Sequence, residues 1–241
     1  ASSLSALCMV TNNVGWASGG NGALIHTVDG GKNWEDRTED SSVPHSNGMP
    51  EPIWGIHFAN EDIGLAAAEF GVILRTVDAG ATWTALNPRP APNKLNAVYM
   101  VSEQEAWIVG DYSTILHSSN GGESWDVISS NADLKKITFV DAKKAWAVGL
   151  SGTILNTDDG GKTWSEQNSG NVFELFGIGF VSPNQGYVVG SNATLIETSN
   201  SGKNWEMVND PSDEGHGTAK RIVFDDPMTS WKSALVLYKL H

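Results

Sequence analysis

The stretch TDDGGKTW, Thr157–Trp164, holds the residue types of oxygen-ligand or phosphate chemistry: two adjacent carboxylates, two glycines and a lysine. Paired acids beside glycine are the raw material of calcium cages, and glycine with lysine is that of a phosphate turn. The spacing supports neither. An EF-hand needs acids at alternating positions and a distant glutamate. A phosphate loop needs a helix behind it and amides, not carboxylates, facing the anion. His26, Arg75, His117, Asn156 and Glu197 share one position ahead of related octets, so the two histidines lie two units apart; His45, His57, His216 and His241 have no ligand spacing. Cys8 is the single cysteine, which rules out an intramolecular disulfide and a thiolate zinc site. The residues therefore predict no metal and no cofactor, and Cys8 reads as a buried strand thiol.

The octet is better explained by what positions it. Related octets occur at Thr27–Trp34, Thr76–Trp83, Ser118–Trp125 and Thr198–Trp205, and the five tryptophans are spaced by 49, 42, 39 and 41 residues. Periods near forty with internal turn signals indicate propeller blades. Upstream, apolar residues recur seven apart as Met9/Trp16, Phe58/Leu65, Met100/Trp107, Phe139/Trp146, Phe180/Tyr187 and Phe224/Trp231. Within one unit, residues 134–168 read as four short strands joined by hairpin-length links. Apolar pairs such as Ile154-Leu155 put side chains on both faces of a strand, as in sheets covered on both sides. In the octet, Asp29, Asp78 and Asp159, with Asn120 and Asn200 as equivalents, are predicted to accept hydrogen bonds from N–H groups two or three residues on. Gly31, Gly80 and Gly161 supply positive φ. Trp34, Trp83, Trp125, Trp164 and Trp205 then open the fourth strand and bury a ring against the adjacent unit. The expected fold is an all-β propeller of four-stranded antiparallel blades, with units near 1–40, 41–90, 91–130, 131–170 and 171–212 and a partial sixth at 213–241.

The octets resemble the Asp-box, or bacterial neuraminidase repeat. The wider unit, with (A/G)-(W/Y)-x-V-G followed by T-(I/L)-(L/I)-x-T, is similar to the photosystem II stability and assembly factor type of propeller. That resemblance implies a non-enzymatic, commonly exported propeller that binds a protein or peptide partner. The Asp-box also occurs in sialidases and other glycosidases. A sialidase-like site would need three convergent arginines, and the chain has only Arg37, Arg75, Arg89 and Arg221. An ordinary glycoside hydrolase needs two carboxylates, which Glu69 and Asp111 can supply, so a glycan-active propeller is the alternative.

With 15 basic against 28 acidic residues the formal charge is -13, which excludes a nucleic-acid partner through repulsion of phosphates. No apolar run approaches the ~20 residues of a membrane span, and the opening ASSLSALCMV lacks a signal-peptide pattern. Function is expected where the repeats differ. The turns between second and third strands and the loops between units should emerge together, opposite the octets. There stand Glu51, Trp54, Glu69, Phe70, Arg89, Asp111, Tyr112 and Phe173, aromatics beside acids suited to a peptide or a sugar. Phe70 and Tyr112 replace small residues at Asn21, Ser151 and Asn192, and the insertion at 38–52 is predicted either to cover Phe70 or to leave it to a ligand.

Overall fold

The computed structural model describes residues 3–38, 43–46, 49–170 and 172–208. Among them there is no α-helix, and the chain is an all-β propeller built from five four-stranded antiparallel blades. The predicted sixth blade, with Phe224, Trp231, His216, His241 and Arg221, lies outside the described residues. The described residues fall into two compact units, divided between Asn131 and Ala132.

In the first unit, blade 1 is β1 (Leu4–Met9), β2 (Gly15–Gly19), β3 (Leu24–Thr27) and β4 (Glu35–Asp36). A two-stranded ribbon, β5 (His45–Ser46) and β6 (Met49–Pro50), precedes blade 2, which is β7 (Ile53–Phe58), β8 (Gly64–Ala68), β9 (Ile73–Thr76) and β10 (Thr84–Ala85). Blade 3 is β11 (Leu95–Met100), β12 (Ala106–Gly110), β13 (Thr114–Ser118) and β14 (Asp126–Ser129). The second unit holds blade 4, β15 (Leu134–Phe139), β16 (Ala145–Gly149), β17 (Ile154–Thr157) and β18 (Ser165–Gln167), and blade 5, β19 (Leu175–Phe180), β20 (Gly186–Gly190), β21 (Leu195–Thr198) and β22 (Glu206–Met207). Each blade pairs its strands in sequence order. Every residue of β2, β8, β12 and β16 is buried, as strands covered on both faces must be. The cores lie between blades: Leu24, Ile53 and Trp83 cluster with Trp16 in the first unit, and Trp146, Leu175 and Trp205 in the second.

The octets are self-contained hydrogen-bonded turns. In blade 1 the Thr27 hydroxyl donates to Asp29 Oδ1 (2.9 Å) and accepts from the Gly31 N–H (2.9 Å). Asp29 in turn accepts from the Asn33 N–H (2.9 Å) and from its side-chain amide (2.6 Å). The same circuit recurs in blade 4 through Thr157, Asp159 and Thr163. Asn120 and Asn200 run it in blades 3 and 5 with their amide oxygens. The reach extends one residue further than predicted: the acid takes the N–H four residues on as well as a weaker contribution from the one three residues on, and the threonine hydroxyl satisfies the donor two residues after the acid. Asp29 and Asp159 are held at about 2, well below the usual carboxylate range. Hydrogen bonds from the Asn33 backbone and the Thr163 hydroxyl are the leading causes.

The octets of blades 2, 3 and 5 dock onto the second strand of the preceding blade. A Cβ at Gly80 would lie 2.2 Å from Trp16 Cζ2, and one at Gly122 would lie 2.7 Å from Leu65 Cδ2. Trp83 is 2% exposed, edge-on to Trp16 and Phe58, and Trp205 is 8% exposed and edge-on to Phe180. Trp125 and Trp164 are half-buried. Trp34 departs from the expectation of a buried ring, at 37% exposed with its Nε1 donating to Gly31 O. Cys8 is half-buried on β1, not buried.

Candidate functional site

The two ends of a blade have separate local partners. Octet turns bond to the first-to-second strand turn of their own blade, through Gly30 N–H to Asn13 O and Ala79 N–H to Asp62 O. At the opposite end, the second-to-third strand turns bond to the chain entering a first strand: Glu69 N–H to Pro52 O, Asp111 N–H to Lys94 O, and in the second unit Gly152 N–H to Phe173 O. This is the end at which the candidate residues were expected.

Trp54 is the second residue of β7 and Glu69 opens the turn after β8; the indole Nε1 donates to Glu69 Oε2 at 2.8 Å. Lys94, just before β11, places Nζ 3.5 Å from the centroid of the Trp54 ring, a cation–π contact. Arg89, from the connection between blades 2 and 3, donates from Nη1 to the Phe70 carbonyl at 3.0 Å. One blade on, Asn96 repeats the part of Trp54, its Nδ2 donating to Asp111 Oδ1 at 2.7 Å. Trp54, Glu69, Phe70, Arg89, Asp111 and Tyr112 thus fall at one end of blades 2 and 3. Phe173 belongs to the second unit, where it is 43% exposed.

Phe70 and Tyr112 have the unusual backbone. Their φ values are 53° and 54°, the same left-handed conformation as Asn21, Ser151 and Asn192 at the equivalent turns. Asparagine tolerates that region, whereas a bulky side chain rarely enters it. Phe70 is 49% exposed and Tyr112 78% exposed, so neither ring is packed into a core that would offset the strain.

Glu51 does not belong to an accessible face. It is 5% exposed, with its N–H donating to Pro44 O where the ribbon leads into β7. The described part of the insertion seats on the blade 1 turn: a Cβ at Gly22 would lie 2.6 Å from Pro50 Cβ. That contact is with blade 1, and Phe70 is exposed. Lys94 and Asn96 were missed in the sequence. Their signal was positional, since Asn96 aligns with Trp54, the second residue of its first strand.

The histidines and the arginine ahead of the octets have local partners. His26 stacks on Trp16 (centroids 4.3 Å apart) and His117 on Trp107 (4.2 Å), each within its own blade. Burial lowers the His26 pKa, and Arg37 adds to the effect. Arg75 reaches the next blade, donating from Nε to Gly121 O at 2.8 Å. Among the described residues, no group of three or more His, Cys, Asp or Glu side chains is arranged to hold a metal ion.

The family model described as Photosynthesis system II assembly factor YCF48 matches residues 2–77 and 47–136, which together span more than half of the chain. No curated protein matches the chain at a significant level. Among solved structures, YCF48 bound to a D1 peptide is 17% identical with a TM-score of 0.55, over 94% of this chain and 86% of that one. YCF48 from Cyanidioschyzon merolae is 18% identical with a TM-score of 0.56, over 94% and 91%. An ancestral GH74 enzyme is 12% identical with a TM-score of 0.73, covering 94% of this chain but 33% of its own. At such identities these likenesses speak to the fold alone.

Proposed function

The chain belongs to the Photosynthesis system II assembly factor YCF48 family, and from that premise we propose that it is a non-catalytic propeller that binds a peptide segment of a protein partner. Binding takes place on the second-to-third strand turns of blades 2 and 3. The observation that carries this reading is the pair Phe70 and Tyr112, exposed rings held at positive φ at matching turns of consecutive blades. Strain and exposure without packing are tolerated where a ligand supplies the missing contacts. Trp54, held by Glu69 and Lys94, adds a third aromatic ring at the same end of blade 2. A relative in the same family has been captured with a D1 peptide, which favours a peptide over other ligands.

The test is the joint substitution Phe70→Ser with Tyr112→Ser, measured against peptides selected by display on the full chain. The double variant should keep its melting temperature and lose at least tenfold in affinity, about 1.4 kcal/mol. A fall in melting temperature with affinity unchanged would assign both rings to packing. The likeness to GH74 propellers, with Glu69 and Asp111 as candidate carboxylates, favours a second reading as a glycan-active propeller. Turnover in a glycan hydrolysis screen, abolished by Glu69→Gln or Asp111→Asn, would replace the first reading with the second.

A further inference from the structure

Residues 86–94 connect blade 2 to blade 3, between β10 and β11. Within this connection Pro88, Pro90 and Pro92 alternate with Arg89, Ala91 and Asn93. Each proline holds φ near about −65°, so the segment has fewer conformations than an ordinary loop of its length and acts as a semi-rigid spacer. It reaches both aromatic turns. Toward blade 2, Arg89 donates from Nη1 to the Phe70 carbonyl at 3.0 Å, and the Ala91 carbonyl lies so close to Gly71 that a Cβ there would overlap it. Toward blade 3, Asn93 donates from Nδ2 to Thr114 Oγ1 at 3.0 Å, and the Thr114 hydroxyl donates in turn to the Asp111 carbonyl at 2.7 Å. Ala91 and Thr114 are both buried.

The two turns need different donors. Blade 5 closes its turn with the same hydroxyl bond as blade 3, from Thr194 Oγ1 to Ser191 O at 2.6 Å. Blade 2 has Val72 where those blades have threonine, so the Arg89 guanidinium supplies a donor that the turn itself lacks. Asn21, Ser151 and Asn192 hold the left-handed position with short polar side chains, which can bond locally. Phenylalanine and tyrosine have no such bond to offer. A strained backbone persists where its surroundings over-determine it, and here one connection holds both turns.

We propose that residues 87–93 form the strut that presents Phe70 and Tyr112 to the ligand, with Arg89 and Asn93 as positioning residues that act through the turns. This rests on the peptide-binding reading above and names the residues that preorganise its site. A ring on a fixed turn loses little freedom when a ligand covers it, so a loosened turn lowers affinity.

Two measurements on the full chain test the strut, the first without a ligand. The Glu69 amide donates to Pro52 O, the Val72 amide to Glu69 O and the Asp111 amide to Lys94 O. Hydrogen exchange at Glu69 and Val72 should rise about fivefold or more in Arg89→Met, and at Asp111 in Asn93→Ala, each variant sparing the other turn. Arg89→Lys can still donate to the Phe70 carbonyl and should restore most of the protection. Arg89 is exposed, so its arm of the test stands even where Asn93→Ala lowers the melting temperature. The second measurement uses a peptide selected by display on the full chain. Arg89→Met and Asn93→Ala should each weaken its binding about three- to tenfold. Once Phe70→Ser is present, Arg89→Met should add less than about twofold, because it acts through that ring. Unchanged exchange overturns the proposal whatever the ligand. An undiminished loss on top of Phe70→Ser also overturns it, by making Arg89 a contact of the ligand in its own right. Affinity lost in the joint Phe70→Ser, Tyr112→Ser chain but kept in Arg89→Met and Asn93→Ala overturns the proposal alone. Affinity kept in that joint variant removes the peptide reading and the proposal with it.

Discussion

Phe70 and Tyr112 are residues whose type and backbone conformation disagree. An L-residue in the left-handed region costs roughly 1–2 kcal/mol, and asparagine escapes part of that cost by bonding locally. Asn21 and Asn192 already hold the equivalent position, so the backbone there accepts asparagine. Phe70→Asn and Tyr112→Asn are therefore expected to leave stability unchanged or to raise it, by about 0.5–1 kcal/mol each. Chemical denaturation measures this directly. A loss of more than about 1 kcal/mol would mean that the rings contribute packing beyond what their exposure allows. Stability gained where ligand affinity is lost is the pattern of a strained functional site.

At the scale of elements, the octet acts as a turn and as a docking surface at once. Thr76, Asp78 and Thr82 close the turn, while Gly80 lets its backbone approach the Trp16 ring of the preceding blade. Gly80→Ala combines a Cβ in the left-handed region with an overlap at 2.2 Å from a buried indole. Gly31→Ala meets only the flexible side of its own Trp34, at 3.5 Å, with a similar φ of 83°. The first substitution is expected to cost about 3 kcal/mol and the second about 1 kcal/mol. Equal losses in thermal unfolding would mean that the turn conformation alone matters and that inter-blade docking adds nothing. Arg75 strengthens the same junction one blade on, joining β9 to the blade 3 octet through Gly121 O.

For the whole molecule, acid is the condition that reaches several blades together. Asp29, Asp78 and Asp159 have folded-state pKa values below the ordinary carboxylate value, two of them at about 2. A depressed pKa contributes stability above the unfolded value, near 3.9, and that contribution is lost as pH falls through the folded value. The triple substitution of these aspartates by asparagine keeps the acceptor, as Asn120 and Asn200 do. The stability difference between the natural chain and this variant should therefore be constant near neutrality. It should shift against the natural chain as pH falls from about 4 toward 2. A difference independent of pH across that window would show that these carboxylates are not linked to folding.

The octets, the seven-residue apolar pairs and the period near forty were enough to specify four-stranded blades, because each unit is made by bonds between residues a few positions apart. Thr27 reaches Gly31 and Asp29 reaches Asn33 within one turn, so local sequence carries the geometry. The choice of Phe70 and Tyr112 was legible for the same reason, as departures from a repeated pattern. Their positive φ was readable only from the backbone. Tertiary structure alone joined Trp54 to Glu69 and Lys94 and Asn96 to Asp111, since side chains as different as an indole and an amide fill the same donor position in blades 2 and 3. It also buried Glu51 and exposed Trp34, two residues that the repeat pattern placed the other way. Burial depends on which neighbour stands opposite a side chain. A periodic sequence fixes the shape of each blade, but the neighbours that tertiary structure brings to each side chain, such as Pro44 and the ribbon around Glu51, decide which of them remain in contact with water.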